Sequence, residues 1–309
     1  MKFGLHNPSW LYGSDPHDMF EGIKQKAQWA EQQGFTWFSV MDHLIQIQGV
    51  GAPEEPFMEG WTVLAALAAV TSKMRLATLV SSVAYRNPAL LAKMAAGLDI
   101  ISRGRLVFGI GAGWYVDEYR QYNWDFPEKP AVRIGQMEEA VRLVKKMWTE
   151  TRATFHGKYF RVDNAILEPK PVQKPHPPIM IGGGGEQLTL RAVARVGDLC
   201  NIFGDPATVK AKLQVLHSHC EKEGRDFAAI EKTNTTAFLI ARDEAAARAK
   251  RAKYSLGEQF RGHAITVPQV IDLVGQFHDV GVQTLIFSAY KNDRETLDLF
   301  AGDVMPKFA

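Results

Sequence analysis

Strand-like and helix-like runs alternate along the 309 residues of this chain, and that alternation limits the possible folds most strongly. It is clearest between Arg75 and Tyr119, where two apolar β-type runs flank one amphipathic helix. The runs end in small residues, SSV and GAG. Because small residues let a flat ligand approach the backbone, this segment predicts two parallel strands joined by a helix, with a binding site at the strand ends.

The same alternation predicts eight strands over the whole chain, nearly all followed by helices. We place the strands at residues 2–6, 36–41, 75–81, 106–111, 178–181, 198–203, 233–241 and 284–288. Helices are predicted at residues 19–33, 59–70, 88–101, 133–150, 186–196, 207–224, 244–253, 269–280 and 294–304, whereas residues 254–266 fit neither pattern clearly. No glycine-rich nucleotide fingerprint follows the first strand. These features favour a closed α/β fold, a (β/α)8 TIM barrel, over an open doubly wound sheet, with function at the carboxyl ends of the strands.

The length suits one barrel domain over residues 1–309, and 46% hydrophobic residues can fill its core. Two insertions are predicted. One follows strand four at GWYVDEYRQYNWDFPEKP, and the other is a hairpin before strand five at TFHGKYFRVDNAILEPKP.

Charge and cysteine content argue against several classes of protein. The 36 basic and 34 acidic side chains give a net charge of +2 without a dense basic run, so we expect no nucleic acid or membrane partner. The two cysteines, Cys200 and Cys220, are too few for a disulfide framework. The N-terminus lacks the apolar core of a signal peptide. We therefore expect a soluble cytoplasmic protein.

Asp42 and His43 follow the second predicted strand and form the candidate catalytic pair. An imidazole titrates near neutral pH, and a carboxylate can fix its tautomer, so His43 is predicted to be a general base that Asp42 orients. The alternative is that Asp42 caps a turn and His43 is solvated. Their place at the end of a barrel strand favours catalysis. No His-x-His pair accompanies them, and no metal site is predicted.

Ser81, Ser82 and Val83 end the third predicted strand. Small hydroxyl side chains leave room for a planar ring and can form hydrogen bonds to its polar edge. The alternative is that two serines simply end a strand. We keep all three residues as candidates for cofactor binding.

The fourth strand ends in Gly111 and Gly113, with Glu118 about one turn further on. Glycine permits positive φ and close approach of the backbone, and an acidic group near exposed amides can order the loop. His6, at the end of strand one, and Phe203, at the end of strand six, are candidates for lining the same pocket. Ordinary turn chemistry or packing could equally explain each of these residues alone.

The fifth strand runs into Gly182, Gly183, Gly184 and Gly185, followed by Glu186 at the predicted start of a helix. Consecutive amides without side chains at a helix N-terminus bind anions, because the helix dipole places partial positive charge there. Four glycines are entropically costly for a plain turn. This segment therefore predicts a phosphate site.

Several segments together resemble the bacterial-luciferase-like family of flavin- and deazaflavin-dependent oxidoreductases. The resemblance covers essentially the whole chain and is densest at FTWFSVMDHL, YRNPALLAKMAAGLDIISRGRLVFGIGAGWYVDEY, RIGQMEEAVRLVKKMW and PPIMIGGGGEQLTLRAVARVGD. Within the family the chain is most similar to the branch that uses coenzyme F-420, a 5-deazaflavin. The resemblance implies a TIM barrel with the three-ring cofactor at the strand ends, and a homodimer formed by early helices of the barrel.

The resemblance also implies roles for individual residues. Asp42 would form a hydrogen bond with the ring edge, and the segment from Ser81 to Val83 would brace the back of the ring, with a cis peptide bond between Ser82 and Val83. Gly111, Gly113 and Glu118 would shape the loop beside the ring, and the stretch from Gly182 to Glu186 would receive the phosphate. One position departs from the sugar-phosphate dehydrogenase branch: Trp114 occupies the place of its proton-donating glutamate, which argues against glucose 6-phosphate oxidation.

Three functional hypotheses follow. The leading one is an F-420-dependent oxidoreductase that transfers a hydride to or from a small organic substrate, with His43 nearby for proton transfer. The second is a luciferase-like monooxygenase that uses FMN reduced by a separate flavin reductase. The third is a flavin-binding protein without catalytic activity. The substrate stays open, because the loops that would select it have no shape that the sequence predicts.

Overall fold

The computed structural model describes residues 1–13, 15–254, 256 and 262–308. The described residues form twelve strands and ten α-helices. The strands are β1 (Lys2–Asn7), β2 (Trp37–Val40), β3 (Arg75–Thr78), β4 (Ser81–Ser82), β5 (Leu106–Gly111), β6 (Ala153–His156), β7 (Arg161–Ala165), β8 (Ile179–Gly182), β9 (Leu199–Ile202), β10 (Glu231–Ala241), β11 (His263–Thr266) and β12 (Thr284–Ala289). The helices are α1 (His17–Gln32), α2 (Gly60–Val70), α3 (Pro88–Ile101), α4 (Val116–Gln121), α5 (Pro130–Thr149), α6 (Thr189–Val196), α7 (Pro206–Glu223), α8 (Glu244–Lys253), α9 (Val267–Asp279) and α10 (Arg294–Leu299).

Eight parallel strands close into a barrel, which confirms the predicted TIM-barrel fold. Around the barrel the order is β1, β2, β3, β5, β8, β9, β10 and β12, and β12 pairs with β1 again. Helices cover the outside, so most strand residues are buried, and strands such as β5 and β12 are mainly apolar. A second cluster of buried side chains in the barrel interior comes from six strands, and Leu79 and Val80 pack against it: Trp37, Ala77, Val107, Met180, Leu199 and Ile286. This cluster fills part of the barrel interior.

The two predicted insertions lie between β5 and β8. The first contains α4, which the sequence did not predict, and the start of α5. The second is the predicted hairpin, in which β6 and β7 pair in antiparallel register. The ambiguous region, residues 254–266, contains β11, which pairs with the outer edge of β10; its residues 255 and 257–261 lie outside the described residues.

The third barrel strand ends earlier than predicted. β3 stops at Thr78, and β4 is a separate short strand that pairs with β5. Among the described residues, the cis peptide bond that does not involve proline joins Leu79 and Val80, so its prediction between Ser82 and Val83 is wrong. Ser82 instead pairs with Gly111 in regular parallel register, and the break in the strand therefore falls before β4.

The predicted start of a helix at Glu186 is also wrong. Residues 186–188 form a turn, and α6 begins at Thr189. Buried Leu190 and Val193 define the inner face of α6, so the helix starts where it can begin to bury apolar side chains. Gly183 has a φ of +119°, which is outside the helical region. The glycines therefore form a loop of their own between β8 and α6.

Candidate functional site

His43 pairs with Glu118 at the mouth of the barrel. The distance from His43 Nδ1 to Glu118 Oε2 is 2.7 Å, and the Glu118 side chain is fully buried. Glu118 Oε1 accepts hydrogen bonds from the backbone N–H groups of Leu44 at 2.6 Å and Ile45 at 3.4 Å, and Oε2 also accepts one from the Tyr85 hydroxyl. A carboxylate can only accept, so His43 Nδ1 donates, and in the neutral form of this imidazole the lone pair lies on Nε2.

This cage of donors holds Glu118 as an anion. Burial raises the pKa of Glu118, but the hydrogen bonds from His43, Tyr85 and the Leu44 amide outweigh it, and the net pKa is below its ordinary value. Burial and the neighbouring Glu118 carboxylate raise the pKa of Tyr85. At neutral pH Glu118 is therefore a carboxylate and Tyr85 a neutral phenol. The imidazole of His43 lies between the Glu118 carboxylate and the solvent.

Asp42 contacts Arg86 rather than His43. Arg86 Nη1 donates to Asp42 Oδ2 at 2.7 Å, and Nη2 donates to Oδ1 at 2.9 Å. Arg86 also binds Glu59, the residue that caps α2. The interpretation of Asp42 as the group that orients His43 is wrong, because His43 Nδ1 binds Glu118 and the buried Asp42 carboxylate instead binds the Arg86 guanidinium in a bidentate pair.

The hydroxyl of Ser81 belongs to a buried chain of hydrogen bonds. Trp61 Nε1 donates to Ser81 Oγ at 2.9 Å, Ser81 Oγ donates to Thr78 Oγ1 at 3.0 Å, and Thr78 Oγ1 donates to the carbonyl of Gly109 at 3.0 Å. The Val83 side chain is buried in the hydrophobic core. These two residues therefore fix the end of the third barrel strand.

Ser82 and Gly113 form a second fixed point at the barrel mouth. Ser82 Oγ lies 2.7 Å from the Tyr119 hydroxyl. Gly113 has a φ of +77°, and a Cβ at this position would lie 1.9 Å from the Tyr119 hydroxyl and 2.4 Å from Ser82 Oγ. Both the backbone conformation and the space therefore require glycine. The hydrogen bond between Ser82 and Tyr119 holds the loop from β5 to α4 in place.

Val80 lies between the ends of β5 and β8. A Cβ on Gly111 or on Gly182 would be 2.8 Å from Val80 Cγ2. Glycine at both positions therefore lets the Val80 side chain occupy the space between the two strand ends. The result is a small apolar surface at backbone level, which suits a flat ring.

The loop after β8 offers unpaired backbone donors beside a cation. Within the described part of the chain, the N–H groups of Gly184, Gly185 and Glu186 have no protein acceptor, whereas that of Gly183 donates to Asn201. Lys212 Nζ donates to the carbonyl of Gly184 at 2.7 Å and lies 3.5 Å from Glu186. This loop can bind an anion through backbone amides and Lys212, although it does not directly precede a helix as predicted.

His6 and Phe203 lie at the ends of their strands in very different environments. His6 is buried, its Nδ1 is 3.0 Å from Ser39 Oγ, and burial together with nearby Lys26 lowers its pKa to about 3. His6 is therefore a neutral hydrogen-bonding group at physiological pH. Phe203 is 55% exposed, so its ring is available to a ligand.

Comparison with known proteins places these features in a family. The model of the luciferase-like monooxygenase family matches residues 1–296. The chain belongs to the luciferase-like monooxygenase family. The match runs from β1 through β12 into the first turn of α10, includes all residues of the site described above, and supports an oxidoreductase of the luciferase-like type.

The names of a curated relative and of a solved structure with a similar fold refer to different cofactors. The FMNH(2)-dependent dimethylsulfone monooxygenase of Pseudomonas putida is 31% identical over 232 residues, which are 74% of this chain and 61% of that protein. Uncharacterized protein Rv0953c of Mycobacterium tuberculosis is 33% identical over 185 residues, 56% of this chain and 64% of that protein. The chain thus spans less than two thirds of the length of these curated relatives. An F420-dependent secondary alcohol dehydrogenase in complex with an F420-acetone adduct has a similar fold, with a TM-score of 0.84, 21% identity, and coverage of 100% of this chain and 99% of that one.

Several residues that build the site were missed in the sequence analysis. Tyr85 and Arg86 follow directly after SSVA in the same loop, and this run of polar residues past a strand end was a usable signal. Lys212 had no such signal, because it lies on α7, 28 residues after the glycine whose carbonyl it binds. Lys26 lies on α1 and is buried, with Nζ 2.9 Å from Asn7 Oδ1.

Two further observations concern metals and membranes. Among the described residues, no three His, Cys, Asp or Glu side chains are grouped so that they could hold a metal ion. The helices of the described ranges include none with the length and apolarity required to cross a bilayer.

Proposed function

We propose that this chain is a deazaflavin-dependent oxidoreductase that transfers a hydride between coenzyme F-420 and a small organic substrate. The observation that carries the proposal is the buried Glu118 carboxylate bound to His43 Nδ1 at the mouth of the barrel. Reduction of a carbonyl, or oxidation of an alcohol, requires a proton donor or acceptor beside the reacting oxygen. His43 Nε2 supplies that group.

The residues at the barrel mouth fit a flat ring with a phosphate. Val80, between Gly111 and Gly182, offers the ring an apolar surface at backbone level. The free amides from Gly184 to Glu186, beside Lys212, offer the phosphate donors and a positive charge. Asp42 stays a candidate for the ring edge, although Arg86 already binds both of its oxygens.

When bound, the deazaflavin supplies a carbon that accepts or donates a hydride. The protein orients the substrate and handles the proton. In the direction of alcohol oxidation, His43 Nε2 accepts the hydroxyl proton, and Glu118 stabilises the imidazolium that forms. In the direction of carbonyl reduction, the imidazolium returns this proton to the oxygen.

A second candidate is an FMN-dependent monooxygenase served by a separate flavin reductase. The sequence match to the FMNH(2)-dependent enzyme of Pseudomonas putida favours it. The two cofactors share a three-ring core and a phosphate, so both suit the same mouth. Turnover that requires oxygen would favour FMN, because a deazaflavin transfers hydride without oxygen.

The test begins with titration of the purified protein with F-420 and FMN, followed by anaerobic turnover with alcohols and carbonyl compounds. We expect F-420 to bind and to be oxidised or reduced without oxygen. His43→Ala should retain F-420 binding and lose turnover by about 10²-fold to 10⁴-fold, while His217→Ala, on the exposed surface of α7, serves as the matched control. Tight FMN binding together with turnover only in oxygen would refute the deazaflavin assignment.

The phosphate site has a separate test in the comparison of FMN with riboflavin, which lacks the phosphate. Lys212→Gln should weaken binding of FMN and leave that of riboflavin unchanged, because Lys212 would contact only the phosphate. Equal effects on both ligands would exclude Lys212 from a phosphate site.

We also propose that the chain forms a homodimer through the early helices of the barrel. Leu90 and Ile101 on α3 are apolar and 55% and 48% exposed, which a second copy would cover. Sedimentation equilibrium should report a dimer for the wild type and a monomer for Leu90→Glu. A monomeric wild type would refute this proposal.

A further inference from the structure

Two aromatic rings stand beside the exposed edge of His43. The Trp114 ring lies 5.8 Å from the imidazole centre at an interplanar angle of 80°, and the Tyr115 ring lies 5.9 Å away at 81°. The two rings contact each other at 5.3 Å with a tilt of 39°. They therefore form one continuous aromatic surface, which we call the Trp114–Tyr115 wall.

The wall exposes apolar surface that the folded chain does not use. Trp114 is 59% exposed, although it is among the largest apolar side chains. The loop that carries Trp114 is held by the hydrogen bond between Ser82 and Tyr119, and these two side chains leave room only for glycine at position 113. An exposed indole beside an oriented imidazole is a ready contact surface for a ligand.

The charges around His43 are already paired. The Glu118 carboxylate has four donors, and Arg86 is shared between Asp42 and Glu59. A substrate with its own charge would therefore find no opposite charge among these groups. These paired charges around His43 therefore favour a neutral substrate.

We propose that the Trp114–Tyr115 wall makes this site specific for a flat, uncharged aryl group attached to the reacting carbonyl or alcohol carbon; this inference rests on the proposed function. A substrate oxygen within hydrogen-bond distance of His43 Nε2 places the substituent on its carbon against the wall. An aryl ring can pack there edge-to-face or offset, which a saturated ring of similar size cannot do as well. Aryl aldehydes, aryl ketones and the corresponding alcohols are the matching class.

The test compares three unreactive amides in which the carbonyl oxygen imitates that of the substrate. Benzamide carries the aryl group, cyclohexanecarboxamide is its saturated counterpart, and betaine amide carries a quaternary ammonium that could bind aromatic rings as a cation. Isothermal titration calorimetry measures their binding to the wild type, Trp114→Ala, Trp114→Phe and Tyr122→Ala. Tyr122 is an exposed aromatic residue of the same insertion and provides the matched control.

We expect the wild type to bind benzamide about tenfold more tightly than cyclohexanecarboxamide. Trp114→Ala should abolish this preference, Trp114→Phe should retain most of it, and Tyr122→Ala should leave it unchanged. Failure of the wild type to bind benzamide, equal binding of both ring amides, or tightest binding of betaine amide would each overturn the proposal.

Turnover is measured separately, with benzaldehyde and cyclohexanecarbaldehyde and reduced F-420 as the hydride donor. The protein could bind aryl amides preferentially in a way that depends on Trp114 and yet reduce neither aldehyde. That result would refute the proposed function and leave the proposed aryl specificity of the wall unaffected. Reduction of both aldehydes with equal kcat/KM, together with equal binding of the two ring amides, would refute the proposed aryl specificity of the wall and leave the proposed function intact.

Discussion

Replacement of Glu118 by glutamine should reverse the tautomer of His43. In the wild type, Glu118 Oε1 accepts from the Leu44 amide at 2.6 Å, and Oε2 faces His43 Nδ1 at 2.7 Å and the Tyr85 hydroxyl. The carbonyl of a glutamine can keep the Leu44 bond only if its NH2 group faces His43. Nδ1 must then accept, so the imidazole proton moves to Nε2 and the group proposed to accept the substrate proton is lost.

The cost in stability follows from the bonds that change. Hydrogen bonds to a charged acceptor contribute about 1.5–3 kcal/mol each and those to a neutral acceptor about 1 kcal/mol. The backbone bonds from Leu44 and Ile45 lose their charged acceptor, and Tyr85 loses its acceptor altogether. We therefore expect Glu118→Gln to lower the free energy of unfolding by about 2–4 kcal/mol.

This loss should depend on pH. The folded protein lowers the pKa of Glu118 below its ordinary value of 4.5, so the unfolded chain binds the proton more readily. The stabilisation by Glu118 is therefore complete above pH 4.5 and disappears as the pH falls through the lower pKa of the folded state. The difference between wild type and Glu118→Gln, measured by urea denaturation, should shrink accordingly in acid.

The tautomer itself is measured by the ¹⁵N chemical shifts of the His43 ring at pH 8. The wild type should show a protonated Nδ1, and Glu118→Gln a protonated Nε2 with turnover reduced by about 10²-fold or more. Glu139→Gln is the matched control, because Glu139 on α5 likewise accepts backbone N–H groups, in its case three from the β6–β7 hairpin. An unchanged Nδ1 proton in Glu118→Gln would refute the assigned orientation of the pair.

Three further substitutions test other parts of the mouth by urea denaturation. Gly113→Ala should lower the free energy of unfolding by about 1–3 kcal/mol, because its Cβ would collide with the Tyr119 hydroxyl at a φ of +77°; Tyr119→Phe in the same chain should recover part of this loss, and no recovery would contradict the collision. Arg86→Met should lower the free energy of unfolding by about 3–5 kcal/mol, because the buried Asp42 carboxylate loses its bidentate partner. The further change Asp42→Asn should restore part of this stability. A loss below about 1 kcal/mol for Arg86→Met would argue against a buried ion pair. Burial lowers the pKa of Lys26 from 10.5 to about 7, so the unfolded chain binds more protons than the folded protein between these pH values. The free energy of unfolding of the wild type should therefore rise with pH in this range relative to that of Lys26→Met. Parallel pH profiles of the two proteins would contradict this prediction.

Strand-end residues were predictable from the sequence because a parallel barrel places all strand carboxyl ends at one mouth. The alternation of apolar strands and helices indicated the barrel, and this alone brought His43, Gly111 and the glycine stretch from 182 to 185 to the same end. The break in the third barrel strand was predicted several residues too far along the chain. The prediction placed it at SSV, whereas the cis peptide bond lies at Leu79–Val80. Small residues indicate that a strand end has space for a ligand, but they do not indicate the residue at which the backbone changes direction.

The sequence by itself therefore determined the fold, the end of the barrel that carries the site, and the presence of an imidazole there. Tertiary structure alone decided which carboxylate serves that imidazole. Successive side chains of an extended chain point in opposite directions, and Asp42 accordingly contacts Arg86 while His43 contacts Glu118, 75 residues further on. Proximity in the chain is a poor guide to such a pair, because a buried carboxylate is stabilised by whichever donors the packing of strands and loops brings to it.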